Sequence, residues 1–139
     1  MPVTKELTIR IEDRPGTLGK AFKALGDRQV NVLAFQSSHS PEGKALVRFV
    51  VDNPTTARKV LDTEHISYTE AEVAQVRLPN RPGVLAEAAS RLGEANININ
   101  YGYCGFEPAS NAPVLVFGVA EVGQAVKILD QAEIGRAHV

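Results

Sequence analysis

The chain has 139 residues, 44% of them hydrophobic and 22% charged, the composition of an ordinary soluble globular protein with room for one domain or two small ones. Its 15 Lys+Arg against 16 Asp+Glu give a formal net charge of -1, so no electrostatic surplus drives it to a polyanion, and nucleic acid is not the expected partner. The single cysteine, Cys104, rules out an intrachain disulfide and fits a reducing compartment.

Taken in chain order, Leu7, Ile9 and Ile11 alternate with Thr8 and Arg10. A period of two predicts a strand with one buried face. Asp13-Arg14-Pro15-Gly16 ends it in a turn, since Pro and Gly are the strongest local punctuators. Leu18, Ala21, Phe22 and Leu25 recur at helical spacing and predict a helix from about Thr17 to Arg28. Val30, Val32 and Ala34 begin a second strand, SHSPEGKA reads as a hairpin loop, and Leu46 to Val51 form a third strand. Asp52-Asn53-Pro54-Thr55 opens a short helix over TTARKVLDT, with Ala57, Val60 and Leu61 facing inward. Ile66 to Val73 is β-prone and predicts a fourth strand. The order βαββαβ is the ferredoxin-like, split βαβ arrangement of an α+β fold. Right-handed crossovers put both helices on one face of an antiparallel sheet.

The unit then repeats. Arg81 stands 67 positions after Arg14, and at that spacing Ile9 falls on Val76, Leu18 on Leu85, Leu25 on Leu92, and Val30-Asn31-Val32 on Ile97-Asn98-Ile99. Beyond the middle the spacing becomes 68, and Val47, Phe49 and Val51 fall on Leu115, Phe117 and Val119. The expectation is two tandem units, residues 1–71 and 72–139. Between Ile66 and Leu78 there is no turn cluster, so the last strand of the first unit runs almost directly into the first strand of the second. Only AEIGRAHV follows the final helix, which leaves the last strand short or lost.

Chemistry concentrates at the repeated turn. Gly16 and Gly83 stand where a strand gives way to a helix, and glycine tolerates positive φ there. The helix N-terminus behind each turn offers free N–H groups to a carboxylate, although Pro-Gly also makes a tight turn with no ligand. Asn31 and Asn98 begin the second strand of each unit and carry both donor and acceptor, or bond their own backbone. Arg14 and Arg81 complete the turn or are simply solvated. His39, His65 and His138 have no metal-ligand spacing and read as solvated histidines. Cys104 matches Ser37 and either ends a strand or lines a pocket; Tyr101 and Tyr103 are packing or pocket wall. No Walker-type loop, nucleophile motif or dinucleotide fingerprint is present.

A strand, Asp/Asn-Arg-Pro-Gly-x-Leu, a helix and then VNV or INI together resemble the ACT domain, the ligand-sensing module of many enzymes of amino-acid metabolism. The resemblance covers essentially the whole chain, as two tandem copies with no enzyme attached. It implies a regulatory fold that binds amino acids or related small molecules where two ACT units meet, as a homodimer or higher homo-oligomer or with a regulated enzyme or regulator protein. Carried onto this sequence, the ligand contacts are Asp13, Arg14, Pro15, Gly16, Thr17, Leu18, Asn31 and Val32 in the first unit. In the second they are Asn80, Arg81, Pro82, Gly83, Val84, Leu85, Asn98 and Ile99. Asn80 and Asn98 are similar to the two asparagines that hold the amino acid in the serine-sensing domain of phosphoglycerate dehydrogenase. That domain has a histidine where Leu78 stands, and the first unit has Asp13 in place of the turn asparagine. An aspartate repels a carboxylate and attracts an ammonium group, so the two sites are expected to differ in ligand, or one is expected to be silent.

Three readings follow. The first is a cytoplasmic regulatory protein that senses an amino acid, needs no cofactor or metal, and has no membrane partner: no stretch suits a signal peptide, and no run reaches the ~20 apolar residues of a spanning helix. The second is an oligomerisation or protein-interaction module with vestigial ligand sites, favoured by Asp13. The third is an enzyme, since fold does not settle function, but no general base, nucleophile or metal cluster supports it.

Overall fold

In the computed structural model, which describes residues 3–107, 110 and 112–131, the expected alternation becomes strand β1 (Val3–Glu12). Helix α1 (Thr17–Asp27), strands β2 (Val32–His39) and β3 (Lys44–Val51), and helix α2 (Pro54–Thr63) follow. Strand β4 (Tyr68–Val76), helix α3 (Val84–Glu94), strands β5 (Tyr101–Phe106) and β6 (Pro113–Gly118), and helix α4 (Val122–Gln131) repeat the order. Two compact units result. One is Lys5–Ala71; the other takes in the described residues from Glu72 onward together with Val3 and Thr4.

In the first unit β3 is the central strand, antiparallel to β1 on one side and β2 on the other. Leu7 and Ile9 of β1 and Val47, Phe49 and Val51 of β3 project from the same face and are buried. Ala21 and Leu25 of α1 and Ala57, Val60 and Leu61 of α2 pack against them. Both helices therefore cover one face of the antiparallel sheet, as the right-handed crossovers require. The second unit repeats this with Ala74 and Val76 of β4, Phe117 of β6, Ala88 and Leu92 of α3, and Ala125 and Leu129 of α4. The repeat extends to register: Ile9 pairs with Val47, and Val76 pairs with Leu115. Ser37 pairs with Val47 as Cys104 pairs with Leu115.

Helix ends explain where strands depart from expectation. Gln29 (φ 62), His65 (φ 58) and Asn96 (φ 61) adopt the left-handed conformation just past α1, α2 and α3. At each, the next residue donates its N–H back into the last turn: Val30 to Leu25 O at 3.0 Å, Ile66 to Leu61 O at 2.9 Å, Ile97 to Leu92 O at 2.9 Å. This is the Schellman closure. It consumes the N–H groups of Val30, Ile66 and Ile97, so these apolar residues plug the core below the helix instead of starting a ladder. The second strand thus begins at Val32 in the first unit and at Tyr101 in the second, which corrects the placement of Asn31 and Asn98 at strand starts. Asn31 lies one residue before β2 and Asn98 three before β5. The fourth strand likewise begins at Tyr68 and not Ile66, and it is continuous with the first strand of the second unit: both are β4. The hairpin loop is shorter than SHSPEGKA, because β2 runs to His39 and β3 starts at Lys44. The expected final strand around Ile134 to Val139, and His138, lie outside the described residues.

Candidate functional site

The two turns are the same structure. Gly16 (φ 91, ψ -16) and Gly83 (φ 88, ψ -11) cap α1 and α3 from the left-handed region. Arg14 N donates to Glu12 O and Arg81 N to Pro79 O, both at 3.1 Å; Lys20 N donates to Gly16 O at 3.0 Å and Glu87 N to Gly83 O at 2.9 Å. A Cβ on either glycine would meet nothing within 4 Å. Glycine is therefore demanded by the dihedral and not by crowding, and the space over each turn is open.

What the side chains do with that space differs. In the first unit they close it on themselves. The Asp13 carboxylate pairs with His39 Nδ1, and Lys44 Nζ reaches Glu12 Oε1 at 3.0 Å. Thr17 Oγ1 donates to Glu12 O at 2.6 Å, with Arg14 O at 3.0 Å. The hydrogen bond and charge of Lys44 hold the Glu12 carboxyl below its ordinary value. His39 is thus largely solvated, as the sequence suggests, but it stands at the end of β2 and not in the loop, and it hydrogen-bonds Asp13. A cavity of about 310 Å³ beside this turn is lined mainly by charged residues, among them Arg10, Glu12, Lys20, Lys44 and Glu64. Of the first unit's expected contacts, Thr17 lines it; Asp13, Arg14, Pro15, Gly16, Leu18, Asn31 and Val32 do not. The Asn31 backbone is engaged instead, its N–H donating to Asp52 Oδ1 at 2.9 Å and its carbonyl accepting from Asp52 N at 3.1 Å.

In the second unit the corresponding space is a cleft of about 340 Å³. Its floor and walls come from Leu78 and Pro79 after β4, from Val84 and Leu85 at the start of α3, and from Cys104 on β5. Pro113, Val114 and Leu115 of β6 close the far side. Asn80 and Arg81 supply the polar end, and among the described residues neither side chain makes a hydrogen bond or ion pair. Of the second unit's expected contacts, the cleft gathers Asn80, Arg81, Val84 and Leu85. Pro82, Gly83, Asn98 and Ile99 are outside its lining, and Asn98 Nδ2 donates to Asn100 Oδ1 at 2.8 Å. Tyr101 and Tyr103 also stay out of the cleft and stack on each other, with ring centroids 6.4 Å apart. The β6 wall escaped sequence reasoning. Its signal was the pairing of Cys104 with Leu115, which only the ladder reveals. Glu87, in the first turn of α3, partly offsets the positive end of that helix, so Arg81 is the stronger anion anchor. No group of three or more His, Cys, Asp or Glu among the described residues is placed to hold a metal.

Turn, cleft and duplicated βαββαβ register agree with the sequence comparison, in which residues 1–135 match the family described as an ACT domain pair. The chain belongs to the ACT domain pair family. ACT domains are regulatory ligand-binding domains. Solved structures share the fold of this ACT pair. One from Bacteroides thetaiotaomicron is 23% identical with a TM-score of 0.84, covering 96% of this chain and 90% of its own. The ligand-free regulatory subunit of aspartate kinase from Thermus thermophilus is 19% identical with a TM-score of 0.65, covering 92% and 91%. The corresponding subunit from Thermus flavus is 19% identical with a TM-score of 0.61, covering 95% and 94%. At these identities the likeness is one of fold. A comparison with curated proteins gives no match. No helix among the described residues is long and apolar enough to cross a membrane.

Proposed function

We propose that this ACT pair is a regulatory protein that binds an amino acid or a closely related metabolite in the cleft of its second unit. The observation that carries the reading is the pairing of Asn80 and Arg81, free of partners among the described residues, with a concave pocket at the repeated turn. Arg81 is a permanent cation suited to a carboxylate, and the Asn80 amide can donate to a carboxylate and accept from an ammonium group. A volume of about 340 Å³ sits at the small end of the ~300–1,000 Å³ of ligand sites, which suits a single amino acid. Residues 1–71 and 72–139 are read as the two ACT copies, and the free thiol of Cys104 fits a reducing cytoplasm.

Regulation then works by linkage. A bound ligand shifts the protein between states only by its differential affinity for them, and the effect passes to a second copy of the chain or to a regulated enzyme or regulator protein. Calorimetric titration of the protein with the twenty amino acids tests the reading. Saturable heat with at least one, abolished by Arg81→Ala, is expected. Absence of heat and of any thermal shift at millimolar ligand overturns it.

A specific observation favours a second reading for the first copy alone. Its turn is satisfied internally by Asp13–His39 and Glu12–Lys44, as expected of a unit kept for assembly and not for ligand. Asp13→Ala without effect on ligand affinity supports that division.

A further inference from the structure

We infer that the second-unit cleft selects an amino acid with an apolar side chain, aliphatic or aromatic, over one with a polar or charged side chain. The inference rests on the reading of the cleft as an amino-acid site and adds the ligand class.

The argument comes from comparing the copies position by position. Five side chains tie up the first turn: Glu12, Asp13, Thr17, His39 and Lys44. Their counterparts, at spacings of 67 before the hairpin and 68 after it, are Pro79, Asn80, Val84, Phe106 and Ala112. Four of the five have become apolar, and the fifth, Asn80, has lost the histidine that its counterpart Asp13 pairs with, so the ties that close the first turn have no equivalent in the second. Pro79 and Val84 line the resulting cleft, and Pro113, also in its wall, pairs with Phe106 in the ladder. Leu85 is 56% exposed and Phe106 60% exposed. Two large apolar side chains are thus left in water at or beside a pocket, where most exposed positions of the unit are polar.

Asn80 and Arg81 are the strongly polar side chains of the lining. Asn80 and Arg81 can hold the ammonium and carboxylate groups that every amino acid shares. The other lining side chains include Leu78, Val84, Val114 and Leu115, with the Cys104 thiol a weak donor at best. A ligand hydroxyl, amide or charge pressed against these side chains would lose water and find no side-chain partner among them. An apolar side chain would gain from burial there and would cover Leu85.

Calorimetric titration of the full chain with leucine, isoleucine, valine and phenylalanine, against serine, asparagine, aspartate and lysine, tests this. At least one apolar amino acid should bind at least tenfold tighter than any polar one. Leu85→Asn should weaken that binding at least tenfold with no change in the denaturation midpoint, because Leu85 is largely exposed. Val84→Thr, which restores the first-copy residue, should weaken it in the same direction. A polar amino acid that binds as tightly as the apolar ones overturns the inference and leaves the amino-acid reading standing. Unchanged leucine affinity in both variants also overturns it. Silence with all eight ligands overturns the inference, and only silence with all twenty amino acids removes the reading on which it rests.

Discussion

His39, the last residue of β2, pairs through Nδ1 with the carboxylate of Asp13 in the first turn, while the second copy carries Phe106 and Asn80 at those two positions. The pair is one-sided in exposure: the His39 side chain is 82% exposed and that of Asp13 31%. Solvent therefore screens most of its Coulomb energy, and exposed pairs contribute only about 0.2–1 kcal/mol. Asp13→Asn should cost less than about 1 kcal/mol in urea denaturation. A loss well above that would mean that the pair braces the whole turn and is more than a surface contact.

The neighbouring pair has a pH signature. Lys44 lowers the Glu12 carboxyl from its ordinary value of 4.5, first through the hydrogen bond and then through its charge. A depressed folded-state value adds stability that is present above the ordinary value and is lost as pH falls through the folded one. Because the Glu12 side chain is more than half exposed, solvent screens the pair and the contribution to stability is small. The titration itself is the better readout. Carboxyl NMR should place Glu12 below 4.5, and Lys44→Met should raise it. An unchanged midpoint in Lys44→Met would show that the contact is not populated in solution.

Glycine substitutions separate dihedral demand from helix propensity. Gly16 and Gly83 sit at φ 91 and φ 88 with open space around a notional Cβ, so Gly83→Ala suffers conformational strain without a clash. The left-handed region costs an L residue about 1–2 kcal/mol, and that is the expected loss. Gly19 lies in α1, is exposed, and also faces open space. There Gly19→Ala should stabilise by about 0.5–1 kcal/mol, since glycine is the costlier residue inside a helix. Denaturation midpoints moving in the same direction for both variants would contradict this account of the turn.

The helix ends reverse the logic. Asn96 holds the left-handed position that closes α3, and Gln29 holds the same position after α1. Glycine is the residue this motif prefers. Gln29→Gly relieves strain but loosens the unfolded chain, so the net gain should be about 0.5–1 kcal/mol. Asn96→Gly should gain less, because asparagine already tolerates the conformation. A thermal melt of both variants ranks them directly.

These helix ends also mark the limit of what the sequence shows. The equivalences of Ile9 with Val76 and of Val47 with Leu115 were legible, because period-two alternation and a near-constant spacing between copies both report local geometry, whereas the pairings of Ile9 with Val47 and of Val76 with Leu115 come only from the ladder. Val30 and Ile97 are β-branched and read as strand, yet their N–H groups are captured by the preceding helix. That hydrogen bond depends on a left-handed Gln or Asn, which leaves no pattern in hydrophobicity. The candidate cleft was half legible for the same reason. Asn80, Arg81, Val84 and Leu85 belong to one contiguous turn, whereas Pro113, Val114 and Leu115 enter through strand pairing across a hairpin. Asn98 was grouped with them on the assumption that the strand began there, and β5 begins at Tyr101.

Arg77 offers the sharpest test of polar energetics in the second unit. Its Nη2 pairs with Glu107 and lies 3.3 Å from Ser110 Oγ, which in turn donates to Glu107 Oε1 at 2.9 Å, while Arg77 Nε is buried without a partner. The Arg77 and Glu107 side chains are 27% and 29% exposed, too buried for full solvent screening. Glu107→Ala leaves a guanidinium with one orphaned N–H and no counter-charge, and should cost more than an exposed pair, about 1–3 kcal/mol. Replacing both residues, Arg77→Met with Glu107→Leu, removes the desolvation penalty and the unpaired Nε together. The double variant should therefore be more stable than Glu107→Ala and close to the parent protein. A double-mutant cycle through Arg77→Met and Glu107→Leu reads the coupling. Simple additivity would mean that the two groups act independently.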